Sequence, residues 1–127
     1  MDIFEKYATD AKLEAEGVWH DLDAKSSICV ARAENPNHTK MMTAVYEENE
    51  HKLKDNPELD TLLTNDIIAK TLLKNWKGFT YKGKPLPYSI ANAVKLLAHK
   101  DFKNMVIRLS VDARNFKAKL DENDVKN

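Results

Sequence analysis

The residues able to do chemistry are few and far apart. The four histidines are His20, His38, His51 and His99, and none lies three to five residues from another. With no CxxC or HExxH pattern beside them, they do not have the spacing of a zinc site. Glu47 and His51 stand at i, i+4, as do Glu34 and His38. Such pairs are ordinary on solvated helix surfaces. Cys29 sits between Ile28 and Val30, where a small buried hydrophobe is the default role. The acidic pairs Glu47-Glu48 and Asp121-Glu122 lie in charged surroundings that favour solvation over general acid–base work. Walker-type GxxxxGK[ST], GxGxxG and GxSxG sequences are all missing. The expectation is therefore a non-enzyme with no catalytic, cofactor-binding or metal-binding set, which works by contact.

Composition narrows the contact. Lys plus Arg and Asp plus Glu number 20 each, so the formal net charge is zero. Phosphate binding usually shows as a net basic domain, so a nucleic-acid partner is disfavoured. Zero net charge also gives little protection against self-association. The single cysteine permits no internal disulfide and suits a reducing compartment. Met1–Lys6 carries neither a basic n-region nor an apolar h-region. No apolar run approaches the roughly 20 residues of a bilayer span, so no membrane role is expected. At 127 residues the chain suits one domain over 1–120, followed by a polar, frayed tail at 121–127.

Periodicity supplies the elements. Ile3, Phe4 and Tyr7 suit one face of a short helix. Thr9 or Asp10 can cap a second turn that ends at Gly17. Gly17–Leu22 and Ser27–Arg32 read as the strands of a hairpin around Asp23–Ser26. Its unpaired edge offers a docking site. Asn35-Pro36 and Asn56-Pro57 are cap-plus-proline helix starts. The second of these helices is predicted to run from Pro57 to about Lys77. Its apolar residues cover a wide arc, with Ile68 and Leu72 well away from Leu63 and Ile67, so it is either central to the fold or shared with a partner. A short helix follows Ser89, which can cap it, and Asp101 can cap a last one. In that last helix Phe102, Met105, Val106, Leu109, Ala113, Phe116 and Leu120 keep helical spacing. Ile107 and Val111 fall off that face, either as a lighter stripe for a partner or as scattered surface apolars.

The stretch Asn75–Ser89 interrupts these helices with two glycines, two prolines and the bulky residues Trp76, Phe79, Tyr81, Leu86 and Tyr88. Phe79–Tyr81 favours a strand and Tyr81–Lys84 a small turn. Either Trp76, Phe79 and Tyr88 pin one helix to the next, or the loop is an exposed aromatic surface rimmed by Lys74, Lys77, Lys82 and Lys84. The fold class expected is α+β, predominantly α, with about four main helices and a small N-terminal antiparallel hairpin. Its core would hold Leu62, Leu63, Leu73, Trp76, Val94, Leu97, Val106 and Leu109. A partner surface would be built from Ile68, Leu72, Phe79, Tyr81, Leu86, Tyr88, Ile107 and Val111.

The order W-K-G-F, a short turn, G-K-P-L-P-Y-S and a helix I-A-N-A-V-K-L-L resembles the tail assembly chaperones of long-tailed bacteriophages. The blocks F-E-K-Y-A-T-D-A-K-L-E-A-E-G-V-W and V-A-R-A-E-N-P are similar to the N-terminal half of that family. Lys82 departs from its pattern, since an acidic residue usually precedes that glycine. The resemblance implies a chaperone that binds the tape measure protein and keeps it soluble until tail tube subunits polymerise around it. It implies action in the cytoplasm of the infected host, contact with the tail tube protein, reversible self-association and absence from the mature virion. The competing readings are a structural tail protein, such as a terminator or connector subunit, and a nucleic-acid-binding module that stacks bases on Trp76, Phe79 and Tyr81.

Overall fold

The computed structural model describes residues 1–119. Local capping sets most of the helix starts. Asp2 accepts the Glu5 amide at the head of α1 (Ile3–Tyr7), and Asp10 accepts those of Lys12 and Leu13 at the head of α2 (Ala11–Glu16). Asn35 accepts from Asn37 and His38 before α3 (Pro36–Glu48), with the proline in the first turn, where its missing N–H costs nothing. Asn49 interrupts this helix: its side-chain amide donates to Val45 O at 2.8 Å, and a short α4 (Glu50–Leu53) follows. Asn56 caps α5 (Pro57–Thr71) through the Leu59 amide. Ser89 caps α6 (Ile90–Leu97) through the Asn92 amide. The last helix, α7 (Lys100–Val111), starts after His99 without a side-chain cap bond, so Asp101 is not its cap.

Strands β1 (Val18–Asp21) and β2 (Ser27–Val30) form the hairpin. Asp23 closes its turn by accepting the Lys25 and Ser26 amides at 2.8 and 2.7 Å. A third strand, β3 (Leu73–Lys77), pairs antiparallel with β2, giving the order β1-β2-β3. The tiny β4 (Thr80–Tyr81) and β5 (Lys84–Pro85) make a second sheet. Lys82 and Gly83 between them both have positive φ, the requirement of a two-residue type I′ turn.

The expected arrangement of about four helices and one small hairpin is therefore wrong. The described residues form seven α-helices and five strands in two sheets. The largest error lies at the predicted Pro57–Lys77 helix, which stops at Thr71. Leu73 and Trp76 are three apart, which reads as helical. In the sheet, Cys29 faces Asn75 while the adjacent Val30 faces Leu73, so Lys74 is the extra residue of a β-bulge. The bulge brings Leu73 and Trp76 to the same buried face of the strand. The predicted last helix likewise ends early. Phe116 is fully buried on a separate 3₁₀ turn, Ala113–Phe116, and Leu120 lies outside the described residues with the tail 121–127.

One core joins the three-stranded sheet to α5, α6 and α7: Ile28, Val30, Ile68, Ala69, Leu72, Leu73, Trp76, Ala93, Leu97 and Val106. Val94 and Leu109 pack against it half-buried. Leu62 does not belong to it, being 60% exposed. On the other face of β2, Cys29 is covered by α2, its Sγ donating to Glu16 O at 3.5 Å. The ends of the described chain meet where Asp10 donates to Phe116 O and Ala118 to Ala8 O. Among the described residues no helix is long and apolar enough to cross a membrane.

Candidate functional site

The aromatic loop is pinned down by its own side chains. Trp76 donates from Nε1 to Leu86 O at 2.8 Å, and Leu86 N donates to Phe79 O at 2.8 Å. The Trp76 ring stacks on Phe79 at 5.0 Å and takes Tyr88 edge-on at 5.0 Å. Phe79 also meets Phe102 at 6.3 Å. The Tyr88 hydroxyl donates to the carbonyls of Ala69, at 3.0 Å, and Leu73, at 2.8 Å, where α5 turns into β3. Burial raises the Tyr88 pKa above the usual phenol value, so this donor keeps its proton. Gly78 completes the packing. It has φ of 78°, and a Cβ there would collide with the Lys25 carbonyl of the hairpin turn. Phe79 and Tyr88 are thus half-buried supports packed against the core rather than free surface. Two of the three rings considered for base stacking, Trp76 and Phe79, cover each other.

Around these supports the other predicted partner residues gather into two clefts. The first holds about 300 Å³ and is lined by Tyr81, Leu86, Asn92, Lys95, Leu96 and His99. Tyr81 stands 62% exposed at its rim, and the half-buried Leu86 forms its wall. The second, about 220 Å³, opens between α3, α5 and α7, where Ile68, Leu72, Ile107 and Val111 meet His38 and Met42. Ile68 and Leu72 are 4% and 3% exposed, so they are core residues that floor the cleft rather than a free helix face. Val111 is 60% exposed at its mouth.

Sequence reasoning missed the α6 wall of the first cleft. Its signal was present, since Asn92, Lys95, Leu96 and His99 follow i, i+3, i+4, i+7 beside the apolar face of α6. It also missed His38 and Met42, which stand one helical turn apart on α3. His38 braces the backbone before its own helix. Its Nδ1 accepts the amide of Glu34 at 2.9 Å, and Glu34 holds a positive φ of 67°. Burial lowers the His38 pKa, while Glu34 pulls it the other way. The neutral ring is the form that can accept this bond.

Among the described residues no group of three or more His, Cys, Asp or Glu side chains is gathered to hold a metal. Burial raises the Cys29 thiol pKa, against the opposing pull of Lys74 and Lys77, which keeps it protonated and weakly nucleophilic. What both clefts offer is apolar surface with a few polar groups at the edge.

The family model for the YdaY prophage protein matches residues 30–127. The chain belongs to that family. It is a phage-related protein, and the matched span includes every residue that lines the two clefts. Neither a curated protein nor a solved structure matches the chain.

Proposed function

We propose that this prophage protein is a tail assembly chaperone, a binding protein rather than an enzyme, which holds an apolar helical segment of the tape measure protein until the tail tube forms around it. The observation that carries the reading is the pair of apolar clefts. Each is backed by the rigid core and has an exposed apolar residue at its mouth, Tyr81 in one and Val111 in the other. Preformed apolar grooves suit the side chains that an amphipathic helix presents along one face. Binding of this kind is driven by apolar burial and depends weakly on salt. Prophage family membership supports a phage-associated role; action in particle assembly, in the cytoplasm of the infected host and ending before the virion matures, belongs to the tail-chaperone reading itself. The resemblance to tail chaperones carries the finer assignment.

Co-expression with the tape measure protein tests it. The wild-type chain keeps that protein in the soluble fraction. Tyr81→Asp and Val111→Asp, both at exposed positions, reduce the soluble yield while leaving the chaperone folded. Phe79→Asp is unsuitable, because it buries a carboxylate among Trp76 and Phe102. Equal solubility of the tape measure protein with and without this chain refutes the chaperone reading and favours a structural role in the tail.

A further inference from the structure

The three-stranded sheet ends in two open edges that differ in kind. The β3 edge is blunted. It carries the bulge at Lys74 and the exposed Lys77, and the outward Trp76 N–H is taken up by the Asn75 side chain at 2.8 Å. Bulges, lysines and capped amides are the devices that stop a strand from adding to an edge. The β1 edge has none of them. Val18–Asp21 pairs with β2 in unbroken register and contains no lysine or proline. Leu22 N donates to Ser26 O at 2.9 Å, continuing that ladder. By strand alternation, Val18, His20 and Leu22 turn their peptide groups toward β2, while Trp19 and Asp21 turn theirs outward. Among the described residues nothing hydrogen-bonds those outward groups.

We infer that this edge is where the protein self-associates: a second copy adds its own β1 antiparallel about a two-fold axis through His20, fusing two three-stranded sheets into one. That register is self-complementary. It sets Trp19 opposite Asp21 of the second copy and Asp21 opposite its Trp19, so every outward N–H and C=O finds a partner. Charge selects the same arrangement. The Lys77 ammonium lies 4.3 Å from the centre of the Trp19 ring and makes no ion pair among the described residues. Asp21 is exposed and likewise unpaired. Facing Trp19, Asp21 of the second copy arrives beside that ammonium, and the two-fold axis makes the contact twice. The exposed part of Trp19 is covered in the process. An unrelated extended peptide would supply the ladder bonds but not the carboxylate at that position. The zero net charge of the chain sets no long-range repulsion against the pairing.

Sedimentation equilibrium of the full chain over a wide concentration range tests the inference, which stands apart from the tape measure reading. The wild type shows a reversible monomer–dimer equilibrium. Asp21→Lys loses both ion pairs and sets lysine against lysine, raising the dissociation constant about tenfold or more. Lys77→Asp acts alike, and the double exchange Asp21→Lys/Lys77→Asp returns the constant toward wild type. Trp19→Pro removes an outward N–H and leaves a monomer, with circular dichroism reporting the fold. If that variant unfolds, the charge exchange decides alone. A wild type that is monomeric at every concentration overturns the inference. So does a dimer indifferent to Asp21→Lys, or one that the double exchange fails to restore. The cleft variants Tyr81→Asp and Val111→Asp leave the equilibrium unchanged, which separates this edge from the clefts.

Discussion

Trp76→Ala is the substitution that most directly tests how the aromatic loop is held. Trp76 is 4% exposed, so truncation removes a large buried side chain, a loss of about 3–5 kcal/mol in typical cores. Two ring contacts go with it, the stack on Phe79 and the edge contact with Tyr88, each worth about 0.5–1.5 kcal/mol where such pairs have been isolated. These overlap with the burial term and place the expected loss in the upper half of that range. The Nε1–Leu86 bond adds less, because Leu86 is half-buried and water can reach its freed carbonyl. Trp76→Phe separates the terms: it keeps an aromatic ring, deletes the N–H donor, and should cost about 1–2 kcal/mol. Urea unfolding followed by far-ultraviolet circular dichroism is the assay, since Trp19 confuses a fluorescence signal. The midpoint should fall with little change in slope. As small domains are stable by only about 5–15 kcal/mol, Trp76→Ala should leave the protein marginal. A loss below about 1 kcal/mol for Trp76→Ala would show that the indole is not part of the core, and the account of the loop as a pinned support would fail.

Other expectations follow from the same geometry. Gly78→Ala combines a positive φ with a collision against the Lys25 backbone and should cost well over 2 kcal/mol, whereas Gly83→Ala, with open space around its Cβ, should cost about 1 kcal/mol in the same unfolding assay. Tyr88→Phe should lose about 1–2 kcal/mol and speed amide exchange at the α5–β3 junction. His20 and His38 both have pKa values lowered by burial, so the folded state binds fewer protons than the unfolded chain. Their contribution to stability is complete above the unfolded value of about 6.5 and is lost as pH falls from there through the lower folded values. His38→Gln should flatten the stability curve in that window, and an unchanged slope would remove His38 from the account.

What the sequence revealed, and what it hid, follows from the range of the interactions involved. Asp10, Asn35, Asn56 and Ser89 were readable as caps because a cap bonds amides two or three residues away. The Lys82-Gly83 turn was readable for the same reason. Strand β3 was not, because its existence depends on β2, more than forty residues earlier, and on a bulge that imitates helical spacing. The wide apolar arc was drawn over a helix that in fact ends at Thr71, and periodicity records that a side chain is buried and not what buries it. Ile68 and Leu72 therefore looked like spare surface, although their burial is supplied by the core and by the walls of the second cleft.

The eight residues chosen for a partner thus divide by mechanical role, and the division ties the two clefts together. Leu86, the wall of the first, is fixed through its carbonyl by Trp76, a residue of β3. Leu72, part of the floor of the second, sits at the junction between α5 and β3, and the Tyr88 hydroxyl bonds the carbonyls on either side of it. Tyr88 in turn packs edge-on against Trp76. A chain of direct contacts therefore runs from one cleft to the other through the buried Trp76 and the half-buried Tyr88, both in the stretch from β3 to the α6 cap. Loosening either support should disturb both clefts at once, whereas changing Tyr81 or Val111 should disturb only its own. That contrast is what a binding surface carried by a rigid support predicts, and what a mobile aromatic loop would not show.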